Sequence, residues 1–339
     1  MATVLIAGCG DVGTALGLRR AAGGDRVLGL RRRARTLPEP IVPVSADLAD
    51  PASLAALPDA PQLLVYIAAA DGFDDAAYER AYVTGPDNLL RHLEASGSAR
   101  CLRRVVLVSS TSVYAQANGE WVDEESETRP QGFSGTRLLE GEALVRARCR
   151  EIGATPVVVR FGGIYGPGRN RLLSSVRDGR PCSETPPLYT NRIHRDDCVG
   201  VIDHLLGLPE PEALYLGVDC EPAPQCVVMD YIARLLRCPP VPRLEPHRAD
   251  EATSVRSRRA GSKRCNNRRL LASGYRFVYP SYRTGYAALI DDTAIDDTGQ
   301  TYTGQTATSR PEPEHVQAAR SQRGPASDRK PNHGTSEGE

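Results

Sequence analysis

A chain of 339 residues, 40% hydrophobic and 25% charged, is long enough to bury one large core or two moderate ones and has an ordinary globular composition. Lys plus Arg and Asp plus Glu both total 42, so the formal net charge is zero, which argues against nucleic acid or an anionic membrane as partner. The longest apolar run, LLVYIAAA at 63–70, is too short to span a bilayer, and Met1 leads straight into TVLIAGCG with no basic segment, so the expected compartment is the cytoplasm.

TVLIA (3–7) reads as a buried strand, and GCGDVG (8–13) follows it as GxGxxG at the mouth of a helical run, TALGLRRAA. In that setting Gly8 permits a tight turn, Gly10 lets the backbone approach a pyrophosphate, and Gly13 lets helix and strand pack closely. The phosphates would sit on the first N–H groups of the helix, at Asp11 and Val12, where the helix dipole is positive. The second strand, RVLGL (26–30), is followed by Arg31, Arg32 and Arg33. A carboxylate at this point would accept bonds from a ribose 2′-hydroxyl. Arginines at the same place favour a 2′-phosphate, so the expected cofactor is NADP, with NAD as the alternative.

IVPV (41–44), QLLVYIA (62–68), RVVLVSS (104–110) and TPVVVRF (155–161) continue the strand series. After Phe133, apolar or small residues at Leu138, Gly141, Val145, Cys149 and Ile152 follow a helical period. Strands buried on both faces and separated by helices predict an α/β fold: a doubly wound parallel sheet, the Rossmann fold, over 1–169. From about residue 170 the elements shorten. DDCVGVIDHLLGL (196–208) and VVMDYIARLLRC (227–238) read as helices, ALYLGV (213–218) as a strand, and 268–290 as helix, strand, helix, so a smaller α/β lobe is expected over 170–290. The Arg-rich stretch 243–263 reads as a mobile connection. The polar, repetitive segment 291–339 reads as a disordered tail, since it holds too little apolar surface to offset an ordering entropy of roughly 1–2 kcal/mol per residue. Nine cysteines without a CxxC pair read as reduced thiols, with neither a disulfide frame nor a metal site expected.

GCGDVG (8–13), ADLAD (46–50), YIAAA (66–70), VSSTSVY (108–114), RFGGIYGPGR (160–169) and NRIHRDD (191–197) stand in the order and spacing of a known family. The chain resembles the extended short-chain dehydrogenases/reductases, and among them the atypical members akin to NAD-dependent epimerases/dehydratases. The resemblance places Asp47 and Leu48 at the adenine ring, and Ala68 and Ala69 along the cofactor after the fourth strand. It makes Ser110 the catalytic serine that hydrogen-bonds the substrate oxygen. Where the family keeps Tyr-x-x-x-Lys at a helix start, this chain has Phe133 and Arg137, and Tyr82 replaces the Asn of the family's N-V-x-G-T motif. Phe has no exchangeable proton, and Arg, with a pKa above about 12, would hold ribose hydroxyls without shuttling protons.

Tyr114 and Tyr165 are the substitute phenols considered for this site, and His194 is expected to order a turn and cap a helix. Arg169 and Arg192 are candidates for an anionic substrate group, and the resemblance suggests a small molecule of sugar-nucleotide type. A homodimer through helices over 75–97 and 134–152 is also implied. Three functional readings stand: an NADP-dependent oxidoreductase, epimerase or dehydratase with a non-standard proton donor; an NADP-binding sensor or regulatory protein without turnover; and an empty structural scaffold.

Overall fold

The computed structural model describes residues 1–57, 60–244 and 261–296. Seven strands form one fully parallel sheet: β1 (Thr3–Ala7), β2 (Arg26–Arg31), β3 (Val42–Ser45), β4 (Leu63–Tyr66), β5 (Arg104–Ser110), β7 (Thr155–Phe161) and β11 (Leu214–Gly217), in the order β11-β7-β5-β4-β1-β2-β3. The chain runs outward from β1 to β3, then returns to β4 on the other side of β1. That reversal opens a crevice at the C-terminal ends of β1 and β4, where doubly wound sheets bind ligands. The expected Rossmann sheet is therefore present, but its seventh strand comes from residues 214–217, beyond the stretch read as the Rossmann half.

Strand alternation builds a core on each face. Val4 and Ile6 of β1 pack into one core with helices α1 (Asp11–Ala22) and α6 (Arg195–Gly207), while Leu5 and Ala7 point to the other, under α3 (Gly85–Ala95) and α4 (Phe133–Ile152). Helix α1 carries Asp11 in its first turn and Arg19 and Arg20 in its last, each charge opposing the helix dipole. Helix α4 stops at Gly153, whose φ of +74° is left-handed.

A third core gathers α5 (Arg171–Arg177), α7 (Gln225–Leu235) and α9 (Tyr282–Asp296) around Tyr165. Short strand pairs tie this part to the sheet: β8 (Gly163–Tyr165) with β10 (Arg192–His194), β9 (Tyr189–Thr190) with β12 (Ala223–Pro224), and β6 (Glu120–Val122) with β13 (Lys263–Cys265). Residues Met1–Asp297 form one compact unit.

Several expectations are corrected here. After α8 (Arg268–Ala272) no strand forms between 273 and 281. The N–H groups of Val278 and Tyr279 and the Tyr275 hydroxyl all donate to the buried carboxylate of Asp197, which occupies donors that a strand would have given to a neighbour. Cys182 and Cys226, 44 residues apart in sequence, form a disulfide because the fold brings a loop onto the first turn of α7; the other seven cysteines are unpaired. Helix α9 continues to Asp296, past the point where the sequence signal fades, while the rest of the expected tail, from 297, lies outside the described residues. Residues 245–260 of the connection read as mobile also lie outside them, but its end, Lys263, is a buried residue of β13.

Candidate active site

At the head of α1, the Gly8 backbone has a φ of +89°, and a Cβ there would lie 2.4 Å from the Ala68 nitrogen. Only glycine fits that crossing. At Gly10 the opposite holds: an added Cβ would meet no protein atom nearer than Gly8 O, at 3.9 Å. The turn thus leaves open space before the first N–H groups of α1, the space a pyrophosphate needs. Gly13 does not face this space, since its Cα lies against Ile6 and the Gly8 carbonyl, packing helix on strand.

The crevice is a cleft of about 590 Å³. Gly8, Gly10, Asp11, Val12, Asp47, Leu48, Ala68 and Ala69 all line it. Arg31 and Arg32 also line it, beside the end of β2. The Arg31 guanidinium donates to the carbonyls of Cys9 (3.2 Å) and Arg33 (2.9 Å), which fixes the chain end against the turn. Arg32 forms a two-pronged ion pair with Asp71 at 2.6 and 2.7 Å across the rim, and this pair raises the guanidinium pKa and lowers that of the Asp71 carboxyl. Both side chains are about 60% exposed, and such a pair contributes roughly 0–1 kcal/mol, so an incoming phosphate can displace it.

Ser110 ends β5 and lines both this cleft and a second one of about 460 Å³; Gly162, Ile164 and Arg169 are likewise shared. Its Oγ accepts from the Ser112 N–H at 3.2 Å, which leaves the hydroxyl proton available to a ligand oxygen. Below it, a buried network holds the strand end in place. Ser109 donates to Glu142 at 2.6 Å, and Glu142 takes a two-pronged bond from Arg160 at 2.7 and 2.9 Å.

The second cleft is cationic. Arg169, Arg171, Arg180, Arg192 and Lys263 line it, and no Asp or Glu is among the described residues that do. Arg192 is only 7% exposed, and its buried Nη1 has no hydrogen-bond partner among the described residues. An orphaned, buried guanidinium N–H is costly unless a ligand completes it. Arg169, at the junction, pairs with Asp11 at 3.0 Å.

The residues expected to replace the missing pair stand elsewhere. Phe133 opens α4 but lines neither cleft; its ring packs on Phe73 and Tyr78 at centroid distances of 5.1 and 5.4 Å. Arg137 also lines neither. Asp75 of α2 (Asp75–Glu79) takes two of its bonds, at 2.8 and 2.9 Å, and Glu140 a third at 2.8 Å, so carboxylates hold the guanidinium expected at the ribose. Tyr114 is buried beneath the site, with its hydroxyl donating to Asp123 O at 2.8 Å and accepting from Arg160 at 2.7 Å. Burial pushes its pKa up to about 12. Tyr165 reaches the second cleft but is stacked on Tyr286, and burial drives its pKa well above the ordinary phenol value. His194, as expected, caps α6, its Nδ1 accepting from Asp196 N at 3.2 Å.

Two residues escaped sequence reasoning. Lys263 arrives in the second cleft from β13, and its Nζ donates to Tyr114 O at 3.1 Å. Tyr82 lines the first cleft. Its replacement of the motif Asn was the available signal.

The family model for the NAD dependent epimerase/dehydratase family matches residues 4–202. A solved structure from Methylobacillus flagellatus, described as a candidate NAD-dependent epimerase/dehydratase, is 35% identical, with a TM-score of 0.67, covering 86% of this chain and 99% of that one. Protein YeeZ of Escherichia coli K12 is 28% identical over 292 residues, 83% of this chain and 97% of YeeZ. At identities that show the fold alone, the chain is similar to MoeE5 in complex with UDP-glucuronic acid and NAD (21%, TM-score 0.71, 87% and 100% covered). It is also similar to the human epimerase family protein SDR39U1 with NADPH (20%, TM-score 0.68, 86% and 99%).

Proposed function

The chain belongs to the NAD dependent epimerase/dehydratase family, and we propose that it is an NADP-dependent oxidoreductase or epimerase/dehydratase acting on an anionic, sugar-nucleotide-like small molecule without the usual Tyr-x-x-x-Lys pair. One observation carries this reading: a groove suited to a dinucleotide and a cationic cleft, with no Asp or Glu among its described lining residues, meet at Ser110. Its expected compartment is the cytoplasm.

In this reading the N–H groups of Asp11 and Val12 hold the pyrophosphate, and Asp47 and Leu48 border the adenine. Arg31 and Arg32 take the 2′-phosphate, with Arg32 exchanging Asp71 for it. A bound nicotinamide supplies the hydride acceptor or donor. Ala68 and Ala69 shape the groove, and Ser110 donates its hydroxyl proton in a hydrogen bond to the substrate oxygen. Arg192 and Arg169 hold the anionic group, as charge-assisted bonds favour. Neighbours with bound NADPH and with NAD plus a UDP-sugar support both halves of the assignment by likeness of fold.

The test is a fluorescence titration of the purified chain with NADPH and NADH, alongside Gly10→Glu and Arg31→Asp. NADPH binding tighter than NADH, lost in the first variant and weakened in the second, is the expected result. No binding of either nucleotide would overturn the proposal.

A second reading, an NADP-binding sensor without turnover, draws on Phe133 and Arg137, whose side chains are engaged with α2 and the loop before it. Cofactor occupancy there would be felt through α2. A substrate screen followed by the double variant Phe133→Tyr, Arg137→Lys separates the two. A homodimer through 75–97 and 134–152 belongs to the same proposal, and sedimentation velocity checks it.

A further inference from the structure

The groove has a phenol that neither functional reading uses. Tyr82 sits in a π-helical turn, Arg80–Thr84, between α2 and α3. Such turns carry an extra residue that redirects one side chain, and they recur at functional sites. The turn is pressed on α4 so closely that a Cβ at Gly141 would lie 2.0 Å from the Tyr82 carbonyl oxygen. Only a glycine at 141 lets the turn seat there.

That ring is half-buried and lines the cofactor cleft together with Ser109, Ser110 and Leu138. It packs against the cluster that contains Val113, three residues after Ser110, and Leu138, which follows Arg137. Its centroid lies 5.2 Å from that of Tyr78, which in turn meets Phe133. Tyr78 therefore links the Tyr82 ring to the position where a phenol is missing. Burial and the neighbouring Tyr78 raise its pKa, which keeps the phenol protonated and able to donate.

Tyr66, Tyr114 and Tyr165 are otherwise committed. Tyr66 also lines the groove, but it is 1% exposed and donates its hydroxyl to Ala81 O at 2.7 Å. Tyr114 reaches neither cleft, and Tyr165 is stacked within the wall of the second.

We propose that Tyr82 is the catalytic phenol of this site, supplied from the π-turn in place of the side chain absent at 133. The inference rests on the reading of the cleft as a dinucleotide groove. In the reducing direction, a bound reduced nicotinamide would supply hydride to the carbonyl carbon of the substrate. The carbonyl oxygen, hydrogen-bonded by Ser110, takes the Tyr82 proton, so one phenolic O–H bond breaks and an alcohol O–H bond forms. The phenolate then regains a proton from water.

The experiment labels the full chain with [ζ-13C]tyrosine and assigns the Tyr82 resonance by its absence in Tyr82→Phe. The resonance is titrated with pH in the free protein, with NADP⁺, and with adenosine 2′,5′-bisphosphate, which lacks the nicotinamide. NADP⁺ places a positive ring beside the phenol, so its titration midpoint should fall by about one pH unit or more, whereas the bisphosphate should leave it in place. Tyr82→Phe should bind NADPH within about threefold of the parent, by fluorescence. If NADP⁺ binds by fluorescence while the Tyr82 midpoint stays fixed, this inference fails and the cofactor assignment stands. If no nucleotide binds at all, the cofactor assignment fails and the inference with it.

Discussion

The two clefts that meet at Ser110 are built by different means. The dinucleotide groove is a feature of backbone: a left-handed Gly8, open space at Gly10 and the first turn of α1, all within a few consecutive residues. The second cleft is made of long cationic side chains from separate segments, with Arg169 and Arg171 after β8, Arg192 on β10 and Lys263 on β13. A pyrophosphate site of the first kind needs space and N–H groups. An anion site of the second kind needs buried charges, whose desolvation the surrounding fold must support. The first should therefore be sensitive to added atoms, and the second to changes of charge and pH.

The largest expected effect tests the electrostatics beneath the second cleft. Asp219 is buried, and burial raises its pKa to about 7, against the pull of Arg192. The folded state thus keeps a proton that the unfolded chain has already released. The stabilisation is fully present below about pH 4 and lost as pH rises to about 7, up to about 4 kcal/mol. Urea unfolding between pH 4 and 8 should show this slope, and Asp219→Asn should flatten it. An unchanged slope in the variant would remove Asp219 as its source.

Next in size is Gly8→Val, which forces a branched side chain into a left-handed backbone against Ala68. A loss of about 2–4 kcal/mol, read by chemical denaturation, should accompany loss of NADPH binding. Retained stability and binding would show that the groove does not depend on this crossing.

Arg192→Met should sharpen the contrast. Affinity for an anionic probe such as UDP is expected to fall about 30-fold, roughly 2 kcal/mol, while NADPH binding stays within twofold. Calorimetry with both ligands checks it, and equal losses for the two would merge the clefts into one site.

The smallest effect concerns Arg32. Its exposed pair with Asp71 supplies little stability, so Arg32→Ala should leave the melting temperature within about 1 °C. The same change should cut the preference for NADPH over NADH by about tenfold, roughly 1.4 kcal/mol. An unaltered preference would transfer the 2′-phosphate to Arg31 alone.

The sequence by itself determined the sheet and the groove. Buried strands announce themselves as short apolar runs, and a glycine turn between strand and helix is a local pattern whose geometry is decided by a few adjacent residues. It also exposed the missing chemistry, because Phe133 and Arg137 stand at a recognisable helix start. Tertiary structure alone decided which side chains stand near the gap. Tyr82 and Gly141 are 59 residues apart, and only the packing of the π-turn on α4 shows that the glycine seats the turn that brings Tyr82 to the groove. Likewise Lys263, the Cys182–Cys226 disulfide and the strand-like 273–281 segment, captured by Asp197, owe their places to contacts between distant segments. Local pattern specifies backbone conformation. Which side chains share a cleft depends on how separated segments satisfy one another's buried polar groups, and no window of sequence contains that information.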